Sequence, residues 1–187
     1  MTGQLFFCRA QKGALWAAAA IAAGALTPAA HAQEAVPAQT EVRPALELNK
    51  TADMDFGSLV VPGRGRVNLT PRANATCTPN NAILHIGACQ AAAFEGRAAF
   101  GQNITVTVPN RRRFVITGPG QNLRIRAVRV GGLTGLRRQG RSANVYSYRV
   151  NAADGNFAFH IGARVLLRDN QAPGIYDGTF TISLDYQ

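Results

Sequence analysis

The tail of the chain is its most constraining feature. Tyr176, Gly178, Phe180, Ile182, Leu184 and Tyr186 share one parity, and Asp177, Thr179, Thr181, Ser183 and Asp185 share the other. Successive side chains of an extended chain point to opposite faces. The alternation therefore predicts a long strand over Gly174 to Tyr186, with its apolar face turned inward and its polar face in water. A helix would scatter the same residues around its circumference.

Upstream, short runs of the same kind are separated by turn signals. Ala45 to Leu48, Ser58 to Val61, Arg66 to Leu69, Ile83 to Ile86, Asn103 to Val108 and Phe114 to Thr117 are each extended in pattern. Leu123 to Val130, Val145 to Val150 and Phe157 to Leu167 follow. Leu123 to Val130 alternates apolar residues with Arg124, Arg126 and Arg129, with a phase shift at Ala127-Val128, which puts the arginines on an outer face. Residues 131–144, rich in Gly and Arg, are expected to form a long loop. With about nine or ten strands and no strand–helix alternation, the expected fold is all-β, an antiparallel β-sandwich over residues 46–187.

The first segment has a different composition. Arg9 and Lys12 precede an Ala-rich apolar stretch from Gly13 to Leu26, then Pro28 and Ala30-His31-Ala32. This is the layout of a secretory signal peptide over residues 1–32, cleaved after Ala32. The stretch falls short of the roughly 20 residues that span a bilayer, and no later segment is more apolar. No integral membrane span is expected, and the chain is expected to be exported to the periplasm or the cell surface. Removing 32 of 187 residues leaves 155, enough for one domain with a real core. The full chain carries +10, and loss of Arg9 and Lys12 leaves +8, with Lys50 the one remaining lysine. Such a surface favours anionic partners. Export argues against nucleic acid, so the dense run Arg111-Arg112-Arg113 is a candidate patch for anionic glycan or lipid, set against a simply solvated basic face.

Two cysteines, Cys77 and Cys89, follow Ala32, and an even pair in an oxidising compartment predicts a disulfide. In the chain-entropy picture so short a loop contributes roughly 3 kcal/mol. His85 lies between them, but Cys-x7-His-x3-Cys supplies no fourth metal ligand and no CxxC turn, so no metal site is expected. No catalytic set stands out. His85 and His160 sit in apolar runs and are expected as half-buried strand residues. The ten carboxylates are scattered without paired spacing. Asp53-x-Asp55 lacks the glycine and distal glutamate of a calcium loop, and no glycine-rich stretch has phosphate-binding form. Neither an enzyme nor a cofactor is expected.

The run Gly174-Ile175-Tyr176-Asp177-Gly178-Thr179-Phe180 through Tyr186-Gln187 resembles the C-terminal strand of chaperone–usher pilins. It has a glycine fourteen residues from the end, alternating apolar positions and a penultimate tyrosine. Together with Leu48-Asn49-Lys50-Thr51-Ala52-Asp53-Met54-Asp55-Phe56-Gly57, the tail is also similar to secreted bacterial proteins grouped as domain of unknown function 4402. These in turn resemble the spore coat protein U-like pilins of the archaic class. The resemblance implies an immunoglobulin-like sandwich lacking one strand, whose groove is filled first by a periplasmic chaperone. At an outer-membrane usher, the N-terminal extension of a neighbouring subunit then replaces the chaperone strand. Gly174, Tyr176, Gly178, Phe180, Ile182, Leu184 and Tyr186 would line that groove. In the leader, residues 33–45, Val36, Ala38, Thr40 and Val42 share parity and form the candidate donor strand. They are small, and Pro37 and Pro44 each remove a ladder donor, so a flexible linker is the competing expectation for this segment. The function implied is a structural subunit of a surface fibre, pilus or coat. The alternative is a self-contained binding module for anionic glycan or lipid.

Overall fold

The computed structural model describes residues 45–110 and 114–187. The expected signal peptide over residues 1–32, the candidate donor residues Val36, Ala38, Thr40 and Val42, and the candidate patch Arg111, Arg112 and Arg113 lie outside the described residues. Thirteen strands follow one another, with no helix among the described residues. They are β1 (Glu47–Ala52), β2 (Ser58–Val60), β3 (Gly65–Leu69), β4 (Cys77–Asn80), β5 (Leu84–Ile86), β6 (Ala92–Arg97) and β7 (Asn103–Thr107). The rest are β8 (Val115–Ile116), β9 (Leu123–Thr134), β10 (Leu136–Ser142), β11 (Val145–Val150), β12 (Asn156–Leu167) and β13 (Ser183–Tyr186).

Every pairing is antiparallel, and the fold is an antiparallel β-sandwich. Strand β12 is the spine of a seven-stranded sheet. Its first half pairs with β6 and its second half with β3, while β9 runs along its other edge. Strands β1, β4 and β8 extend this sheet from β6, β3 and β9. The opposing sheet has the order β10-β11-β7-β13, and β2 and β5 form a separate two-stranded ribbon.

Alternation explains the core. Phe157, Phe159, Ile161, Val165 and Leu167 of β12 point inward, as do Ile104 and Val106 of β7 and Tyr146, Tyr148 and Val150 of β11. Phe94 and Phe159 stack at 5.3 Å between ring centroids. No polar or charged residue is fully buried among those described, so the interior is held by apolar packing and satisfied backbone ladders.

The phase shift at Ala127-Val128 is a β-bulge. Arg126 pairs with Arg164 and Arg129 with Gly162, so two residues of β9 face one of β12, and Ala127 takes a φ of 49°. The extra residue restores Leu123, Ile125, Val128 and Val130 to the core and leaves Arg124 and Arg129 exposed.

Two expectations are corrected. Residues 131–144 are not a loop. β9 continues to Thr134 and β10 starts at Leu136, so the chain passes from one sheet to the other through Gly135 alone. That glycine has a φ of 68°, and a Cβ there would collide with the carbonyl oxygen of Asn156. Glycine and arginine in this stretch mark a sharp corner and a solvated edge strand. The tail, in turn, is not one continuous strand. Only Ser183–Tyr186 joins a ladder, with β7, while upstream Asp177 makes a single bridge to Thr117. Between them the chain crosses from the edge of one sheet to the edge of the other and has no ladder partner.

Candidate functional site: an open apolar groove, an arginine cleft and a thiol–imidazole trio

The tail keeps its alternation without a ladder. Tyr176, Phe180, Ile182, Leu184 and Tyr186 are each half-buried and packed on the core, and the residues between them are exposed. Phe180 meets Phe114 at 4.7 Å between ring centroids. The Tyr176 hydroxyl donates to the Ala172 carbonyl at 2.8 Å and accepts from Gln171 Nε2 at 2.7 Å. Tyr186 Oη accepts the Ala99 N–H at 3.3 Å. Gly174 has a φ of 142°, and Gly178 lies against Val115 and Ile116.

Strand β13 is an edge strand of its sheet and β1 an edge strand of the other. A groove of about 310 Å³ runs between the end of β1 and the tail, with Met54, Phe94, Phe114, Ile116, Phe180 and Ile182 in its walls. Past Met54, Ile116 and Tyr176 it continues into a wider trough of about 740 Å³, walled by Leu59, Val61, Leu167 and Ile175. The inward side chains of the tail thus border a space that no strand of the described chain fills. Beside the trough, Val60 and Leu84 are paired across the β2–β5 ribbon and both exposed, as is Ile86. Ile175, at the trough's rim, is 84% exposed.

Sequence reading found the tail's share of this groove but not Met54, Phe94, Phe114 or Ile116. They come from three separate segments, and the strand order that unites them leaves no local signal.

A second concavity, of about 540 Å³, gathers Arg64, Arg66, Arg124, Arg126 and Arg168 with Asn80, Asn81 and Asn122. These arginines sit on or beside β3, β9 and β12, which are neighbours in the sheet, and outward parity turns them to the same side. Asp169 reaches Arg64 at 4.0 Å, and its Oδ1 takes the Arg64 backbone N–H at 2.5 Å. Arg168 donates to Gln121 Oε1 at 3.0 Å, while the buried Nε of Arg126 has no partner. On the opposing sheet, Arg138 and Arg141 lie over the ring of Tyr146, 5.6 and 4.8 Å from its centroid.

The two histidines differ. His160 on β12 has Nδ1 3.2 Å from the Gly132 carbonyl, as a satisfied strand histidine should. His85 on β5 has a buried Nε2 with no hydrogen-bond partner. Its ring meets Cys77 and Cys89, with the ligating atoms of all three within 4.8 Å of one another. Both cysteines are thiols in this structure. Burial, then the hydrogen bond and charge of Cys89, push the Cys77 thiol far above its ordinary range. A disulfide and shared ligation of a cation both require such closeness.

Among the described residues, no helix is long and apolar enough to cross a membrane. No curated protein and no solved structure matches the chain. One family model does match, and it covers residues 46–186, the whole sandwich from the start of β1 to the end of β13. The chain belongs to the family described as Domain of unknown function (DUF4402).

Proposed function

We propose that this protein is an exported structural subunit of a surface fibre, pilus or coat, assembled by donor-strand exchange. One observation carries the reading. The apolar face of the tail, Tyr176, Phe180 and Ile182, stays half-buried along a groove between the end of β1 and the tail. A strand laid in that groove would bury those side chains and complete the interior. Its backbone would meet open ladder positions, and its alternate side chains would set the register.

The candidate donor is the segment 33–45 of a neighbouring copy, with Val36, Ala38, Thr40 and Val42 inward. A periplasmic chaperone would hold the groove before an outer-membrane usher exchanges it. The exposed Val60, Leu84, Ile86 and Ile175 beside the trough suit a surface covered in such complexes. The test is the assembly state of chain exported with and without residues 33–45. Multimers that survive heat and detergent, and vanish on the deletion, support the reading. A stable monomer in both cases defeats it.

The arginine cleft favours a second reading, a binding module for anionic glycan or lipid. Five guanidinium groups converge on one concavity in which Asp169 is a rim contact. Binding to heparin or to anionic vesicles should fall steeply with salt and weaken on Arg66→Ala/Arg124→Ala. Salt-independent binding, or none, removes this reading.

A further inference from the structure

We infer that Cys77, His85 and Cys89 form a binding site for a thiophilic metal ion, zinc or cuprous copper in class, that pins the β2–β5 ribbon to the sandwich.

Three segments converge here. Cys77 opens β4, His85 is central in β5, and Cys89 lies just before β6. The two-way backbone bridge between Asp55 and Gln90, at 2.8 and 2.9 Å, clamps the approach to β2 against the residue after Cys89. Gly57, with a φ of 67°, leaves the room the imidazole needs, since a Cβ there would stand 2.8 Å from His85 Nε2.

Apart from the hydrogen bond between the two thiols, the three groups have long contacts or none. Cys77 Sγ reaches the Phe56 carbonyl only at 3.8 Å, and Cys89 Sγ reaches that of Ala75 at 4.0 Å. His85 Nε2 is buried without a hydrogen-bond partner. A buried imidazole nitrogen normally finds a partner. A disulfide would join the sulfurs and leave the imidazole out, whereas a cation at the centre of the trio takes one ligand atom from each of the three residues. With ligand bonds of about 2.0–2.3 Å, sulfur and nitrogen atoms around one ion stand a few ångströms apart, the scale of the observed trio.

Two thiolates and one imidazole are a soft donor set, which selects zinc or cuprous copper over calcium or magnesium. The fourth position of a tetrahedral ion would fall to water. The consequence is structural. The β2–β5 ribbon shares no ladder with either sheet, and the metal would fasten it, and with it the wall of the trough at Leu59 and Val61.

The test uses the full chain, reduced under anaerobic conditions and titrated with Co(II) and then with Zn(II). One Co(II) per chain is expected, with thiolate charge-transfer absorption and the intense ligand-field bands of a four-coordinate ion. Zn(II) should displace it and raise the melting temperature. His85→Ala and the milder His85→Gln, each checked for native circular dichroism, should weaken uptake by at least the roughly 10–100-fold that losing even a supporting partner of a ligand costs. Three results overturn the inference: no stoichiometric uptake, uptake indifferent to both His85 variants, or chain isolated from its own cells metal-free with Cys77 and Cys89 fully disulfide-bonded. Assembly is a separate matter, because deleting residues 33–45 leaves all three ligands in place.

Discussion

Tyr146 ties the two sheets together through a single atom. Its ring is fully buried, and its hydroxyl donates to the Val128 carbonyl, at the bulge of the opposing sheet, at 3.2 Å. Tyr146→Phe keeps the ring and leaves that carbonyl without its donor. A loss of about 1–3 kcal/mol is expected, seen as a lower urea midpoint at unchanged slope. Core and groove side chains should separate just as clearly. Ile161 is 0% exposed, and Ile161→Ala is expected to cost about 2–5 kcal/mol. Ile182, in the groove wall, is half-buried, so Ile182→Ala should cost the isolated chain distinctly less, and equal losses would mean the groove is already filled. The parity of Tyr146 and Tyr148 was legible from Val145 to Val150 alone. The destination of the hydroxyl was not, because it depends on a bulge eighteen residues away in another sheet.

Among the elements, strands with strong alternation were legible and those built on small or polar residues were not. The runs now seen as β3, β7, β9, β11 and β12 announce themselves by period. Strand β4, Cys77–Asn80, contains a proline and sits at an edge, where a missing donor costs no ladder bond. Strand β6, Ala92–Arg97, offers Phe94 as its one large inward anchor. The tail misled in the opposite direction. Its period was real, but period reports which face is wet, and only a partner at the right distance makes a ladder. The corner at Gly135 gives the sharpest test at this scale. Gly135→Ala places a Cβ against the Asn156 carbonyl at a positive φ, and should cost about 1–3 kcal/mol for the backbone strain alone. A Cβ at Gly140, five residues on, would meet nothing within 4 Å. Gly140→Ala should be neutral or gain about 0.4–1 kcal/mol. Equal effects at the two positions, measured by denaturant titration, would refute the corner.

At the scale of the whole molecule, the proposed donor-strand exchange would make the sandwich a receptor for one further strand, and that has a thermodynamic signature independent of any fibre. A peptide that binds the folded chain and not the unfolded one raises stability by mass action, by about 2.7 kcal/mol at a hundred times its dissociation constant. A synthetic peptide of residues 33–45, added to chain lacking them, should therefore raise the melting temperature in a concentration-dependent way. Register supplies the control. Sliding Val36, Ala38, Thr40 and Val42 by one position turns all four side chains to the opposite face, so a peptide so shifted should stabilise little. Ile182→Arg puts a guanidinium into the groove wall and should abolish the effect, while Arg124→Ala, in the cleft, should leave it intact. Only half of this could be inferred before the fold was known. The tail displayed its apolar face in plain alternation, but the facing wall is assembled from Met54, Phe94, Phe114 and Ile116 by strand order, a non-local property. A groove is a relation between edges, so the peptide must discriminate both walls at once. Stabilisation that persists in Ile182→Arg, or is matched by the shifted peptide, would show that the chain is bound somewhere else.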